Sequence, residues 1–395
     1  MSKSTVLQAG WARSEITPPL GLPMAGYLAR SALAVGVLDS LHVRCLALRQ
    51  GRRTLLFVCL DWLSAEAQWS DRLRARLARK HGLRPTEVIV ASTHTHSGPA
   101  VPIRPFILGT PADHAARAYW SRAGRAIEDA AARALAVLQP VDLAWTRGVI
   151  RGIATDRNRP ARGRTQSILA LRLRPLQGGP PAVVAIYGCH PTVLGPENDR
   201  YSADLHGAIA RGLEARGFSC AVVANGAAAN ISTRFTRRDR LPRESERLAA
   251  AVVIRLDRLP WRTARRVQLA ASRCRLQLPL RPRGAPLPAE TSSVGDRVWS
   301  ELRKSRLFRR RSLGVEAVVW RFGSFKLIAL PLEVGADTGA FLWRHGRMQV
   351  VGYANGYWGY LPSPAVHARD YEAVSSPFLA TADARLRRFV DRYAR

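Results

Sequence analysis

The sequence predicts a mixed α/β fold in which β-sheets are flanked by helices, and two observations support this. Apolar, strand-like runs alternate with amphipathic, helix-like runs along the whole 395-residue chain, the pattern of an α/β architecture. The composition, with 47% hydrophobic and 23% charged residues, is that of a globular protein. The apolar runs are too short and too interrupted to span a bilayer. No internal repeat and no clear linker divides the chain, so we expect a single domain over residues 1–395.

The first half of the chain predicts a hairpin, two helices and a buried strand. Residues 41–63 form two apolar runs around the polar turn RQGRR, which indicates a hairpin. An amphipathic helix is expected over 67–82, with Gly82 placed to end it. TEVIVAS, residues 86–92, is typical of a buried strand, and a long alanine-rich helix is expected over 112–138.

The second half predicts two further hairpins, two helices and a strand. The hairpins cover residues 167–191, with the turn QGGPP, and 315–333, with the turn FGS. The helix with Ser202 or Asp204 near its N-terminal cap is followed by a strand and a second helix, over 202–217, 219–232 and 243–259. The Pro-rich stretch 278–293 fits a surface excursion or a weak boundary.

The net charge of +32 comes almost entirely from arginine, because the chain has only four lysines. Such a field attracts anionic lipid or nucleic acid. The alternative is an arginine-rich composition spread over a solvated surface, and the lack of a recognised nucleic-acid module favours it. We therefore expect no nucleic-acid partner.

Cysteine usage and the N-terminus together predict a cytoplasmic location. The five cysteines are scattered without CxxC spacing and lie mostly in apolar runs, which is typical of buried free thiols. The N-terminal residues show neither a long apolar region nor a small-residue cleavage site.

Three predicted strands end directly in residues that can carry chemistry. The segments are VIVASTHTHSG, VVAIYGCHPT and LIALPLEVG, which contain His94, His96, His190 and Glu333. Because ligands and catalytic groups gather at strand ends in α/β proteins, these four side chains are expected to converge. Histidines with a carboxylate are a natural Zn²⁺ set when one position stays open. Burying two polar imidazoles directly after a strand costs free energy unless they bind a ligand or take part in catalysis.

Three other motifs are open to two interpretations each. The aromatic residues of NGYWGYLPSP fit either a core around a glycine turn or a site. The small residues of VANGAAANIS permit close approach to a ligand, but they also suit packing under a helix. Asn158 and Arg159 in TDRNRPARG fit an anion or carbonyl contact, or a further surface arginine.

Taken in order, these segments resemble the catalytic domain of the neutral/alkaline (non-lysosomal) ceramidases. The matching pieces run from about Gly10 to about Glu372 in the family's order: AGWARSEITPPLGLPMAGY, THTHSGP, DRNR, GCHPTVLGPENDRYSADLHG, NGAAANIS, PLEVGADTG and NGYWGYLPSPAVHARDYE. The resemblance implies a Zn²⁺-dependent amidase, with one zinc ion per chain, that cleaves the N-acyl bond of ceramide to a sphingoid base and a fatty acid. An N-acyl lipid is the implied substrate, and peripheral contact with an anionic membrane surface is expected.

The resemblance also implies roles for eight residues. The metal ligands would be His94, His190, Glu333 and Tyr360. His96 would contact the scissile amide and is our candidate for the general acid. Arg159 and Tyr371 match residues that line the substrate pocket, and Ser232 falls where the family carries an active-site serine.

The sequence departs from the family pattern at several positions. Ala229 and Asn230 replace the usual Gly-Asp, Thr233 replaces a proline, and Leu332 stands where glycine is common. The chain also has no room for the C-terminal β-sandwich of larger ceramidases. Two alternatives therefore stay open: a metal hydrolase acting on another amide or an ester, and a catalytically silent basic protein that binds anionic lipid or nucleic acid.

Overall fold

The computed structural model describes residues 6–100, 114–160, 166–264, 266–286, 298–300 and 302–393. Its strands are β1 Gln8–Glu15, β2 Gly36–Val37, β3 His42–Gln50, β4 Arg53–Leu60, β5 Val88–Ser92, β6 Gln139–Ile150, β7 Thr155–Asp156, β8 Gln166–Pro175, β9 Ala182–Tyr187, β10 Arg200–Tyr201, β11 Cys220–Asn225, β12 Ile231–Ser232, β13 Arg262–Thr263, β14 Leu269–Pro279, β15 Ser312–Phe322, β16 Lys326–Ala329, β17 Glu333–Val334, β18 Met348–Val351 and β19 Tyr360–Leu361. Its helices are α1 Ala67–His81, α2 His114–Ala136, α3 Asp204–Glu214, α4 Pro242–Asp257, α5 Ala336–Gly346, α6 Tyr371–Val374 and α7 Ala382–Tyr393.

The largest sheet has the strand order β11-β9-β8-β6-β1-β3-β4-β5, and β13 pairs with β6. A second sheet has the order β14-β15-β16-β18. Most pairs are antiparallel, but β4–β5, β9–β11 and β16–β18 are parallel. A parallel pair needs a crossover, and α1, α3 and α5 supply one each. The same strand–helix–strand unit therefore occurs three times.

Three pairs of helices cover a common β core, and strands such as β4, β5, β9 and β11 are buried on both faces. The central cluster joins inward residues of both sheets, such as Leu46, Leu171 and Trp320. Alternate residues of the same strands face outward, onto α1 and α2, onto α3 and α4, or onto α5 and α7. The mixed α/β fold with helix-flanked sheets is thus confirmed.

The elements predicted from apolar periodicity are present in the structure. The three hairpins are β3–β4, β8–β9 and β15–β16, each with its turn at the predicted residues. Gly82 ends α1 in the left-handed conformation with φ 64°, and its N–H donates to the Ala78 carbonyl. At α3 the Ser202 hydroxyl accepts the Asp204 N–H, while Ala203 is the cap residue.

The predicted segments differ from the structure in two places. The stretch 219–232 is not one strand, because β11 ends at Asn225 and a turn separates it from β12. The Pro-rich stretch 278–293 follows the end of β14, and its residues 287–293 lie outside the described part of the chain. The alanine-rich helix is described from His114, and residues 112 and 113 of the predicted helix also lie outside the described part of the chain.

The sequence pattern assigned no element to β1, β6, β14, α5 or α7. The three strands of this set, β1, β6 and β14, mix exposed or half-buried residues with buried ones and do not form apolar runs. Within the described residues, no helix has both the length and the apolar character needed to cross a membrane.

One buried histidine belongs to the core and not to the strand-end groups. His206 lies on α3 with no exposed surface, and its ring Nε2 is 3.2 Å from the Tyr187 carbonyl oxygen. Burial lowers the pKa of His206 to about 4, from an ordinary value of 6.5. The folded protein therefore holds this imidazole neutral, whereas the unfolded chain protonates it below about pH 6.5.

We predict that His206→Gln makes the protein less sensitive to acid. Because the folded-state pKa is depressed, stability is complete above about pH 6.5 and is lost as the pH falls toward 4. Between about pH 7 and about pH 5 the wild type should lose about 2 kcal/mol more unfolding free energy than the variant, whose amide keeps a donor for Tyr187. Urea unfolding at both pH values measures this. The other buried histidines are common to both proteins, so equal pH dependence would contradict the assignment.

Candidate active site

In the loop after β5, with the sequence THTHS, successive side chains point to opposite sides. Thr95 Oγ1 donates to the Ser202 carbonyl at 2.7 Å, and the Ser97 hydroxyl accepts from the Asn198 amide at 3.0 Å. These contacts fix the loop to residues 198–202. His94 and His96 point the other way, and their Nε2 atoms are 3.4 Å apart.

His94 has a left-handed backbone with φ 68°, which is uncommon for a residue with a side chain. Its N–H donates to the Trp62 carbonyl at 2.9 Å, and its ring stacks on Tyr353 with centroids 3.8 Å apart. Tyr353 is also left-handed, with φ 53°. Strain of this kind persists only where surrounding contacts hold it, and it is concentrated at functional sites.

His190 follows β9 and is completely buried. Its N–H donates to the Ile231 carbonyl at 2.9 Å, and its backbone forms an isolated parallel bridge with Ser232. The ring Nδ1 is 2.9 Å from the Ala228 carbonyl oxygen. Since a carbonyl only accepts, Nδ1 carries the proton and Nε2 is left as a lone pair.

The same reasoning applies to His94, whose Nδ1 is 2.8 Å from the Leu63 carbonyl oxygen. Its Nε2 is therefore also a lone pair. Backbone carbonyls that fix the tautomer of a histidine in this way are typical partners of metal-binding histidines.

Glu333 opens β17 and is buried beside these two rings. Its N–H donates to the Gly359 carbonyl, and its residue is in register with Tyr360 on β19. The Tyr353 hydroxyl donates to one carboxylate oxygen at 3.2 Å, and the Tyr357 hydroxyl donates to the other. The Glu333 carboxylate is thus held by two phenols.

Three electron-pair acceptors meet at this point. Glu333 Oε2 is 3.2 Å from His190 Nε2 and 3.7 Å from His94 Nε2. Two imidazole lone pairs facing a carboxylate repel one another in a dry site unless a cation lies between them. Among the described hydrogen bonds, His190 Nε2 has no partner. This donor set fits a metal ion.

His96 belongs to the same group. The candidate ligand atoms of His94, His96 and His190 all lie within 4.8 Å of one another. The structure therefore contains a buried histidine-rich group that could bind a metal ion. The predicted convergence of the three strand ends is present in the geometry.

The histidines are neutral at neutral pH. Burial lowers the pKa of His94 and His96 well below the ordinary value, and burial together with the Arg157 charge lowers the pKa of His190 to about 3. Neutral imidazole is the form that binds metal. Burial, with the Glu333 charge next in importance, raises the pKa of Tyr353, Tyr357 and Tyr360 well above the ordinary value, so these phenols keep their protons.

A loop from the N-terminal region holds His96 in place. A side chain at Gly26 would come within 2.6 Å of the His96 ring, so this close approach requires glycine. The Tyr27 ring packs edge-on to His96 with centroids 4.9 Å apart. The Arg30 guanidinium donates to the His96 carbonyl at 2.7 Å and to the Gly195 carbonyl at 3.2 Å.

The asparagine at the end of β11 joins the strand ends. The Asn225 amide nitrogen donates to the Thr93 carbonyl at 3.2 Å and to the Cys189 carbonyl at 3.1 Å. The Asn225 backbone carbonyl accepts the Gly352 N–H. One buried residue therefore links the loops after β5, β9 and β18.

Tyr360 is held from the other side by an arginine. Arg157 donates to the Tyr360 hydroxyl at 3.2 Å and lies 5.3 Å from the Tyr371 ring centroid. The Glu372 carboxylate accepts from Arg157 at 2.6 Å and from Asn158 at 2.7 Å. Burial opposes the charge on Arg157, but Glu372 and Tyr360 raise its pKa well above the ordinary value.

Three residues with implied roles have the following positions. Tyr371 packs against Tyr360 with ring centroids 5.7 Å apart. Arg159 contacts the Ala365 carbonyl and the Asp370 carboxylate. The Ser232 hydroxyl accepts the Arg234 N–H at 3.0 Å. The structure therefore brings Arg157, and not Arg159, to the Tyr360 hydroxyl.

The departures from the family pattern have local explanations. The Asn230 amide donates to the buried Asp156 carboxylate at 2.8 Å, and its oxygen accepts the Ala336 N–H at the start of α5. Leu332 is fully buried in the cluster that α5 and α7 cover. Nothing in the structure explains Thr233 in place of proline.

Sequence reasoning missed four residues that shape the site. Tyr353, Tyr357 and Asn225 were not singled out, and Arg157 was passed over beside Arg159. The signal for Tyr357 was the NGYWGY motif, whose aromatic residues fit a core equally well. Asn225 and Tyr353 directly follow or end short apolar runs, as the histidines do.

Comparison with solved structures supports the fold. The neutral ceramidase from Pseudomonas aeruginosa is 16% identical, with a TM-score of 0.79 over 99% of this chain and 74% of its own. A ceramidase complexed with C2 is 17% identical, with a TM-score of 0.78 over 99% of this chain and 75% of its own. At such identities the likeness establishes the fold. No curated protein sequence matches the chain.

The family model for the neutral/alkaline non-lysosomal ceramidase, N-terminal, matches residues 7–227. The matched region contains His94, His96 and His190, whereas Glu333 and Tyr360 lie beyond it. The resemblance noted from the motifs is thus confirmed. Since the match covers more than half of the residues, the chain belongs to the neutral/alkaline non-lysosomal ceramidase family.

Proposed function

We propose that the protein is a zinc-dependent amidohydrolase that cleaves the N-acyl amide of ceramide or a related N-acyl lipid. The observation that carries this proposal is the meeting of His94 Nε2, His190 Nε2 and Glu333 Oε2 in a buried site, with both imidazole tautomers fixed by backbone carbonyls. Family membership supports a hydrolase acting on ceramide-type amides. A single catalytic domain over residues 1–395 is part of the proposal.

The proposed ligands are His94, His190, Glu333 and Tyr360. Imidazole nitrogen and carboxylate oxygen donors suit zinc. Zinc held here would supply a Lewis acid that activates water and polarises the amide carbonyl at neutral pH. Tyr353 and Tyr357 fix the orientation of the Glu333 carboxylate, which is the usual task of groups that support a ligand.

His96 is the proposed catalytic side chain. Its Nε2 lies 3.4 Å from His94 Nε2, a proposed metal ligand atom, and so faces the place where the amide would react. The proposed role requires the tautomer with the N–H on Nε2. That N–H would donate to the amide oxygen as negative charge develops, an interaction worth about 3 kcal/mol. The reaction consumes one water: the C–N bond breaks, the acyl carbon gains oxygen, and the leaving nitrogen gains a proton. One proton of that water goes to the leaving nitrogen and the other is released with the fatty acid. His96 is the candidate to carry the first: its neutral ring would accept the proton from the water and then deliver it to the nitrogen.

The pocket around the reacting bond would be formed by Arg159, Tyr371 and Ser232. Of these, Tyr371 packs directly on a proposed ligand, Tyr360. The neutral Asn230, in place of the family's usual aspartate, is the observation that keeps another amide or an ester as a second candidate substrate. Peripheral contact with an anionic membrane and a cytoplasmic location complete the proposal.

We predict that the purified protein contains about one zinc ion per chain and that His190→Gln loses it. His206→Gln is the matched control, because His206 is equally buried but donates from Nε2 to the core. Elemental analysis, with hydrolysis of a fluorescent ceramide alongside, makes the measurement. Zinc and turnover should both disappear in His190→Gln and persist in His206→Gln.

Two results would contradict the proposal. Zinc retained in His190→Gln would remove His190 from the ligand set. Wild type without a divalent metal would favour the alternative of a catalytically silent basic protein. Zinc without ceramide hydrolysis would keep the site and direct the search to other amides and esters.

We also predict that Arg157→Gln lowers kcat/KM about 10- to 100-fold, as expected when a group that supports a ligand is lost. The reason is the hydrogen bond from Arg157 to Tyr360, which glutamine is too short to keep in the same geometry. Arg159→Gln is the neighbouring control and should cost less. Steady-state kinetics of both variants on one N-acyl substrate decides between them. A larger loss for Arg159→Gln would favour the role that the family resemblance gives to Arg159.

A further inference from the structure

Exposed apolar side chains are concentrated beside the candidate active site. The described residues include thirteen large apolar side chains that are exposed, and seven of these lie in the segments 20–37 and 235–241. They are Leu20, Leu28, Leu33, Val35, Val37, Phe235 and Leu241. Scattered exposed apolar residues need no explanation, but a local concentration marks an interaction surface.

The two segments are joined by a third loop, residues 194–201. The Val35 N–H donates to the Asp199 carbonyl at 2.9 Å, and β2 pairs with β10. Arg240 forms an ion pair with Glu197, and Arg237 donates to the Val193 carbonyl. The seven apolar side chains therefore lie on one connected set of loops, which we call the rim.

The rim contacts the histidine group. Its first segment includes Gly26 and Tyr27, which pack against His96. Its second segment begins directly after Ser232 and Thr233. Arg30 connects the rim to the site, because its guanidinium donates both to the His96 carbonyl and to the Gly195 carbonyl of the linking loop.

The second segment of the rim is positively charged as well as apolar. Residues 234–243 contain five arginines and one acidic residue, and the exposed Arg234 lies over the Phe235 ring at 5.4 Å. The whole chain carries +32, which adds a long-range attraction for anionic surfaces. Exposed apolar side chains next to a cluster of arginines have the composition of surfaces that insert shallowly at the boundary between lipid headgroups and acyl chains.

We propose that the rim docks onto a bilayer containing anionic phospholipid and so places the mouth of the site at the lipid surface. This deepens the proposed function, on which it rests, by assigning the surface through which an N-acyl lipid would enter. A bilayer fits better than nucleic acid, because six of the seven exposed apolar residues are aliphatic and give bases no stacking face.

The test compares two double variants that are matched in exposure. Leu33→Ser/Val35→Ser removes rim side chains that are 50% and 60% exposed, and Leu176→Ser/Val137→Ser removes side chains elsewhere that are 52% and 54% exposed. Each protein, in its metal-loaded form, is sedimented with phosphatidylcholine vesicles that contain or lack phosphatidylserine, at low and high salt. Thermal unfolding checks that both variants fold.

The wild type and the control should bind phosphatidylserine vesicles, less so at high salt because the attraction of the arginines is screened. The rim variant should bind about tenfold more weakly or worse, since each lost apolar group removes an inserting contact. All three should hydrolyse a short, water-soluble N-acyl amide equally.

Equal vesicle binding by the rim variant and its control would overturn the proposal. So would a rim variant that changes only the oligomeric state in sedimentation equilibrium, since the rim would then be an interface between copies of the chain. Vesicle binding needs no turnover. Rim-dependent binding without amide hydrolysis would therefore overturn the proposed function and leave the docking surface standing.

Discussion

The site depends on the meeting of three electron-pair acceptors whose side chains are almost fully buried. His94 Nε2 and His190 Nε2 both face the Glu333 carboxylate, and all three side chains are at most 2% exposed. In isolation this arrangement is unfavourable, because buried acceptors without donors lose the solvation they had in water. It is tolerable when a cation completes it. The surrounding fold must therefore hold the three acceptors together against their mutual electrostatic repulsion.

The groups that hold the three acceptors belong to the backbone or to neighbouring aromatic residues. Leu63 and Ala228 carbonyls fix the two imidazoles, and two tyrosine hydroxyls fix the carboxylate. Asn225 then joins the loops that carry the histidines. The parallel pairs β4–β5, β9–β11 and β16–β18 bring these loops to one place, since in each pair the crossover helix lets both strands end at the same edge of the sheet.

The sequence pointed to a meeting of His94, His96, His190 and Glu333 because each follows an apolar, strand-like run, and the resemblance to the ceramidase family gave these residues their roles. It was insufficient for the tyrosines. Tyr353 and Tyr357 lie in a stretch whose glycines and aromatic residues suit a core as well as a site. Likewise, an arginine-rich chain gives no local reason to choose Arg157 over Arg159. That choice depends on which side chain the distant Glu372 and Tyr360 contact, a long-range fact.

The neutral residue at position 230 limits the negative charge next to Asp156. Asn230 donates to the Asp156 carboxylate, so the pair carries one negative charge. A carboxylate at position 230 would face Asp156 at hydrogen-bonding distance, and two carboxylates that close need a shared proton or a cation between them. The amide removes that need, and its oxygen is already used by the Ala336 N–H. Within the residues that the structure describes, the histidine group is then the one cluster with the geometry of a metal site. In this part of the chain, a cation is therefore needed at the histidine group, where His96 Nε2 also lies close to the candidate ligand atoms.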